Sequence, residues 1–134
     1  MAQRDVKEYT ILNLANADAA TTGVKIECRD FRHLVLSFAG TAFTGTVKFQ
    51  GSIQNDAPDF SASQSATNMW DYVQVVDLQT GLAIDGDTGV SVAGAGSDFR
   101  QFEMNTNGLA WMTVTATAKT AGAVLVKGKL FDNQ

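Results

Sequence analysis

Residues 98–131 alternate apolar and polar side chains with a period of two, which is the signature of half-buried β-strands and leaves no room for an amphipathic helix. Met112, Val114, Ala116 and Ala118 fall on one face, and Trp111, Thr113, Thr115 and Thr117 on the other. The pattern returns with Val124, Val126, Gly128 and Leu130 opposite Leu125, Lys127, Lys129 and Phe131. Polar turn signals ending in Gly108 and Gly122 separate these runs. Glycine supplies the positive φ that tight hairpins need, so the spacing predicts a C-terminal three-strand meander over 98–104, 110–118 and 123–131.

The rest of the chain carries the same signature more weakly. Short segments bounded by Gly, Asn, Asp or Ser recur at the spacing of roughly 8–12 residues expected of sandwiches and barrels. Residues 7–14 read as a first strand, and Val24, Ile26 and Cys28 line a second. Leu34, Leu36 and Phe38 line a third; after a turn over 40–45, a fourth places Val47, Phe49 and Ile53 inward with Lys48, Gln50 and Ser52 outward. Residues 70–77 are apolar on both faces, as in a central strand or one whose second face meets another chain. Short strands follow around 82–84 and 90–92. The expected fold is all-β, an antiparallel β-sandwich (jelly-roll-like or related) in a single domain, with an N-terminal strand or arm over 1–22 and the sandwich over 23–134. A chain of 134 residues buries about 68% of its unfolded surface, enough for a core without disulfide staples.

Chemistry-bearing constellations are absent from the sequence. The single histidine, His33, sits on the face opposite Leu34, whereas a Ser-His-Asp triad or a multi-histidine metal site needs partners for it. The single cysteine, Cys28, alternates with Val24 and Ile26 and reads as a buried small hydrophobe. No nucleophile elbow, P-loop or dinucleotide fingerprint occurs. Asp85 and Asp87 alternate as calcium ligands do, but the distal glutamate of a calcium loop is missing, so 85–89 reads as a polar β-turn. The expectation is a non-enzyme with no catalytic residue, no cofactor and no metal. A net charge of −4 with ten scattered basic residues argues against a nucleic-acid partner. No apolar run approaches the ~20 residues of a membrane helix. The first residues lack a signal-peptide apolar core, which predicts a soluble protein made in the cytoplasm.

What remains is a candidate contact surface. Residues 54–69 form a long irregular stretch holding the only proline, Pro58, and loops of this length are usually functional or mobile. Trp70 and Tyr72, two residues apart, share a face beside that loop, while Trp111 lies on the threonine face of its strand. Large aromatics serve as anchors for sugars and for partner chains alike. Phe99 and Phe102 point to opposite faces of theirs. Residues 7–14 either complete the chain's own sheet or reach a neighbouring subunit as an added strand, with Tyr9, Ile11, Leu12 and Leu14 pairing. The candidate interaction residues are therefore Tyr9, Ile11, Leu12, Pro58, Phe60, Trp70, Tyr72 and Trp111. A charged fraction of 18%, below the usual quarter, suits a surface packed against others.

The run from Phe31 to Gly40, then Gly45 to Ser52, then Trp70, then Asp98 to Arg100, and last Trp111 to Thr117 with its Gly122 turn, resembles the small β-sandwich virion proteins of tailed bacteriophages. Capsid decoration (auxiliary head) proteins are the members it is most similar to, although the insertion between Ser52 and Trp70 is longer than in that pattern. The resemblance implies a non-enzymatic structural virion protein. It would be assembled in the bacterial host cytoplasm and bind the major capsid protein on the outer capsid surface as a homo-oligomer, a trimer, with no nucleic-acid or membrane partner. The alternative is a carbohydrate- or receptor-binding β-sandwich of a phage tail or baseplate, with a host surface glycan as partner, using Trp70, Tyr72, Trp111 and the 54–69 loop.

Overall fold

A computed structural model describes residues 7–94 and 96–131. Among these the chain forms the strands β1 (Lys7–Leu14), β2 (Ile26–Glu27), β3 (His33–Ser52), β4 (Asp71–Tyr72), β5 (Val75–Asp77), β6 (Ala83–Ile84), β7 (Val90–Ala93), β8 (Ser97–Asn105) and β9 (Trp111–Phe131), and no helix. The pairing is antiparallel throughout, in the order β1-β9-β3-β8-β5-β6, with β2 also on β9 and with β4 and β7 also on β3. The all-β antiparallel architecture is the expected one.

Its spine differs from the expectation. The third and fourth predicted strands are one strand, β3, and the last two strands of the predicted meander are one strand, β9. These two pair from His33↔Phe131 to Ser52↔Trp111, and β8 pairs with β3 and β5 rather than with β9. No meander forms. The turn signals at 40–45 and 119–122 face each other across the ladder, where the register slips between Thr41 and Thr46. Ala42 (φ 49°), Ala118 (φ 54°) and Gly122 (φ 83°) supply left-handed backbone there. Bulges of this kind bend a strand without reversing it.

The bend turns one sheet into two facing layers. Phe102 pairs with Leu36 on β3, and a straight strand would put Phe49, thirteen residues further along, roughly 43 Å away. The Phe49 and Phe102 rings are instead 5.6 Å apart, and Phe38 meets Phe43 edge-on at 6.0 Å inside the corner. Sandwich corners are made this way, by strands that pass from one sheet to the other. One layer holds β1, the C-terminal half of β9, the N-terminal half of β3, and β8; the other holds β2, the N-terminal half of β9, the C-terminal half of β3, β4 and β7. Leu34, Leu36, Met104, Met112, Val114 and Leu130 are sealed between them.

Strand β1 completes the chain's own sheet along β9, and Ile11, Leu12 and Leu14 lie in the common core. The alternation of Val124, Val126, Gly128 and Leu130 is borne out, all four being buried. Gly128 is small for a reason: a Cβ there would stand 2.8 Å from Ile11 Cδ1 and 2.9 Å from Leu34 Cδ1. The threonine face of β9 is closed by the chain itself. Gly23 N–H donates to the Val114 carbonyl at 2.8 Å, Thr113 Oγ1 donates to the Val24 carbonyl at 2.7 Å, and the Thr22 and Thr115 hydroxyls meet at 3.0 Å. Residues 70–77 are apolar on both faces because they change layers: β4 pairs with β3, and β5 then pairs with β8.

Candidate functional site

The 54–69 stretch is a built loop. Pro58 and Phe60 are buried, and the buried Gln50 donates its amide to the Phe60 carbonyl at 3.0 Å. Asn68 acts as the internal staple. Its side chain accepts from Asp59 N–H at 2.8 Å and donates to the carbonyls of Asp59 and Ser63 at 2.9 and 3.1 Å, while its backbone exchanges two 3.1 Å bonds with Ser65. The Ser61 hydroxyl, with help from its N–H, holds the Asp59 carboxyl below the usual aspartate range. At the far end Ser52 Oγ donates to the Met69 carbonyl, and Met69 N–H donates to Gln54 Oε1 at 2.9 Å.

An aromatic ladder backs this loop. Phe60, Trp70 and Tyr72 meet in series, the first pair tilted and the second edge-to-face, with ring centroids 6.1 and 5.2 Å apart, and Lys48 Nζ lies 5.5 Å from the centre of the Tyr72 ring. The shared face expected for Trp70 and Tyr72 is thus present. Trp70 spends its N–H on the Ala62 carbonyl at 3.0 Å. Trp111 spends its N–H on the Asn55 carbonyl at 3.2 Å, which Arg29 also reaches at 2.9 Å. Both indoles are half-buried, as are Tyr9 and Tyr72. Of the eight candidate residues, the ladder gathers Phe60, Trp70 and Tyr72; Pro58 is buried in the same loop, Trp111 is tied to it through Asn55, and Tyr9, Ile11 and Leu12 belong to β1.

The loop forms one wall of an apolar trough of about 590 Å³ at the open end of the sandwich. Gly51 makes its floor, because a Cβ there would stand 2.8 Å from Val73 Cγ2 and 3.0 Å from Leu109 Cδ1, the two side chains that close the core at this end. Trp70 lines the wall, and Ile53 and Met69 form the lip with 71% and 57% of their surface exposed. Strand alternation placed Ile53 inward. It lies one residue beyond the end of β3, where the partner strand has turned away, so the alternation no longer applies. None of Ile53, Met69, Val73 and Leu109 stands out in the sequence as a contact residue; an aliphatic residue directly after a strand end was the available signal.

Other motifs resolve plainly. Asp85 Oδ1 accepts from the N–H groups of Asp87 and Thr88 at 2.7 and 3.3 Å, and Asp87 pairs with Lys48 at 3.2 Å, so this segment is a hydrogen-bonded polar turn. No group of three metal-ligating side chains occurs among the described residues. Cys28 is fully buried, and loss of hydration pushes its thiol up to about 12.

No family model matches this chain, and no curated protein matches it. Among solved structures it is similar to the SPBc2 prophage-derived protein YomS, with a TM-score of 0.65 and 15% identity over 94% of this chain and 92% of that one. It is also similar to the PBSX exported protein XepA, with a TM-score of 0.69 and 17% identity; here 94% of this chain covers only 37% of the other. At these identities the likeness establishes a shared fold.

Proposed function

We propose that this protein is a non-enzymatic structural component of a bacteriophage particle, a capsid decoration protein that binds the major capsid protein on the outer capsid surface as an oligomer, a trimer. The apolar trough carries this proposal. A concave surface floored by Val73 and Leu109 and lipped by Ile53 and Met69 offers hydrophobic contact, and the loop that walls it is tied by hydrogen bonds donated by Ser52 and Asn68 and one accepted by Gln54. Exposed apolar patches of this kind mark protein–protein contact sites. Burying them on a capsid contributes about 25 cal/mol per Å² before ordering costs, repeated over many copies. Fold likeness to the SPBc2 prophage-derived protein YomS supports the phage setting. The net charge of −4 fits a protein partner better than a phosphate backbone.

A tail or baseplate module that binds glycans would use the half-exposed ring faces of Trp70 and Trp111 alone, since both N–H groups are engaged within the chain. Co-sedimentation with expanded capsids that lack this protein tests the proposal. Saturable binding by an oligomer, lost in Ile53→Asp and Met69→Asp, is the expected result; a monomer that stays in the supernatant would refute it.

A further inference from the structure

A second cleft, of about 760 Å³, lies along β8 and shares no residue with the trough. It exists because β5 is short. Its pairing with β8 ends at Asp77↔Phe102, with one further bond from Leu78 N–H to the Gln101 carbonyl at 3.0 Å. The chain then turns away through Asp77–Gly81, a turn held by Asp77 Oδ1, which accepts from the N–H groups of Gln79 and Thr80 at 2.8 and 3.3 Å. The end of β8 from Ser97 to Arg100 continues past that turn, paired with β3 on one side only. The turn is one wall of the cleft and β8 the other.

Phe99 stands on this wall with 77% of its surface in water, more than any other large apolar side chain among the described residues. The register pairs Phe99 with Ala39 and Gln101 with Ser37, so the ring, the Gln101 amide and the Ser37 hydroxyl rise side by side on one face. Gln79 and Thr80 approach from the turn. Among the described residues, the side chains of Ser37, Gln79 and Gln101 have no hydrogen-bond partner. Asp98 and Arg100, which alternate to the other face of β8, also border the cleft and are joined to each other by two bonds of 3.1 and 3.0 Å.

We infer that this cleft binds a neutral oligosaccharide, stacked on Phe99 and hydrogen-bonded by Ser37, Gln79 and Gln101. A pyranose presents an apolar C–H face and a rim of hydroxyls, and the cleft presents an exposed ring beside uncommitted amides and a hydroxyl. A small set of convergent polar groups around an apolar contact is how such sites fix orientation. The ionised residues bordering it are Asp77, Asp98 and Arg100, one negative charge in excess, which disfavours acidic sugars and phosphates. This inference does not depend on the capsid proposal, since the two sites have no residue in common.

Titration of the intact protein with maltohexaose, cellohexaose, chitohexaose and, as the acidic control, a hyaluronan hexasaccharide, followed by amide chemical shifts, tests it. At least one neutral oligomer is expected to saturate with a Kd of about 1 mM or tighter, equivalent to about −4 kcal/mol. Perturbed amides should centre on 37, 79 and 99–101, and the acidic oligomer should bind more weakly. Phe99→Ala should weaken binding at least about tenfold and Phe99→Trp should retain it, as stacking on a larger ring requires. Ile53→Asp should leave sugar binding unchanged. Failure of all three neutral oligomers to saturate, or undiminished binding by Phe99→Ala, would overturn the inference. A change in the mass of the particle in solution caused by Phe99→Ala would overturn it too, by making the ring a subunit contact.

Discussion

The corner of the sandwich and the 54–69 loop are both small-residue stretches that interrupt strand alternation, and the fold treats them in opposite ways. At the corner, 40–45 on β3 and 117–122 on β9 are irregular at the same point of one ladder, so each irregularity is matched by its partner and the chain keeps its direction while the sheet folds over. In the loop the irregularity has no partner strand. Order there comes from side chains, with Asn68, Asp59 and Gln50 performing for the backbone what a ladder would otherwise do. Corner residues should therefore govern global stability, and loop residues should govern local order and the trough.

The largest expected effect is at the corner. Gly122 has φ 83°, and a side chain there would run into the carbonyl of Ala42 and the backbone of Phe43. Gly122→Val should cost about 4 kcal/mol in urea unfolding, at the severe end for a single substitution. A loss below about 1 kcal/mol would mean that the corner is not as tight as its geometry. Phe49→Ala removes the ring that joins the layers, and should cost about 3–4 kcal/mol in the same assay.

The loop should respond on a smaller and more local scale. Asn68→Ala breaks three side-chain bonds and should cost about 1–2 kcal/mol, seen as faster proteolysis and amide exchange over 54–69 while the core keeps its protection. Global unfolding by this substitution would erase the distinction between the two regions. The smallest effect is that of pH. Asp59 has a lowered pKa, so its contribution to loop order is complete above the ordinary carboxylate range and fades as pH falls through its own lowered value; protection of the loop amides should fall with it while the core keeps its own. Cys28 has the opposite sign. Its raised pKa leaves stability intact below about pH 9 and erodes it between 9 and about 12. The native thiol should resist a disulfide reagent at pH 8 and react once the chain is unfolded.

Strand content was legible in the sequence because a period of two survives wherever one face is buried. Connectivity was less so. Glycine and polar residues at 40–45 and 119–122 obey the same local rules in a hairpin and in a bulged corner, and only the facing strand decides which forms. Nothing local to Gly122 announces that its opposite number is Ala42. The aromatic residues were found from their type and spacing, and Trp70 and Tyr72 do share a face. What type and spacing could not convey is that both indole N–H groups are consumed internally, while Ile53 and Phe99, ordinary residues in an alternating pattern, carry the exposed apolar surface. Exposure at a strand end or a vacant sheet edge is a property of where neighbouring strands stop.

The central claim, that the trough is the surface by which this protein attaches to a capsid, is tested most directly by amide exchange measured on the free protein and on the protein bound to particles. Added protection confined to 51–53, 69–73 and 109, with 97–101 unchanged, is the expected result. Protection centred on β8 and Phe99 with the trough still exchanging freely would contradict it.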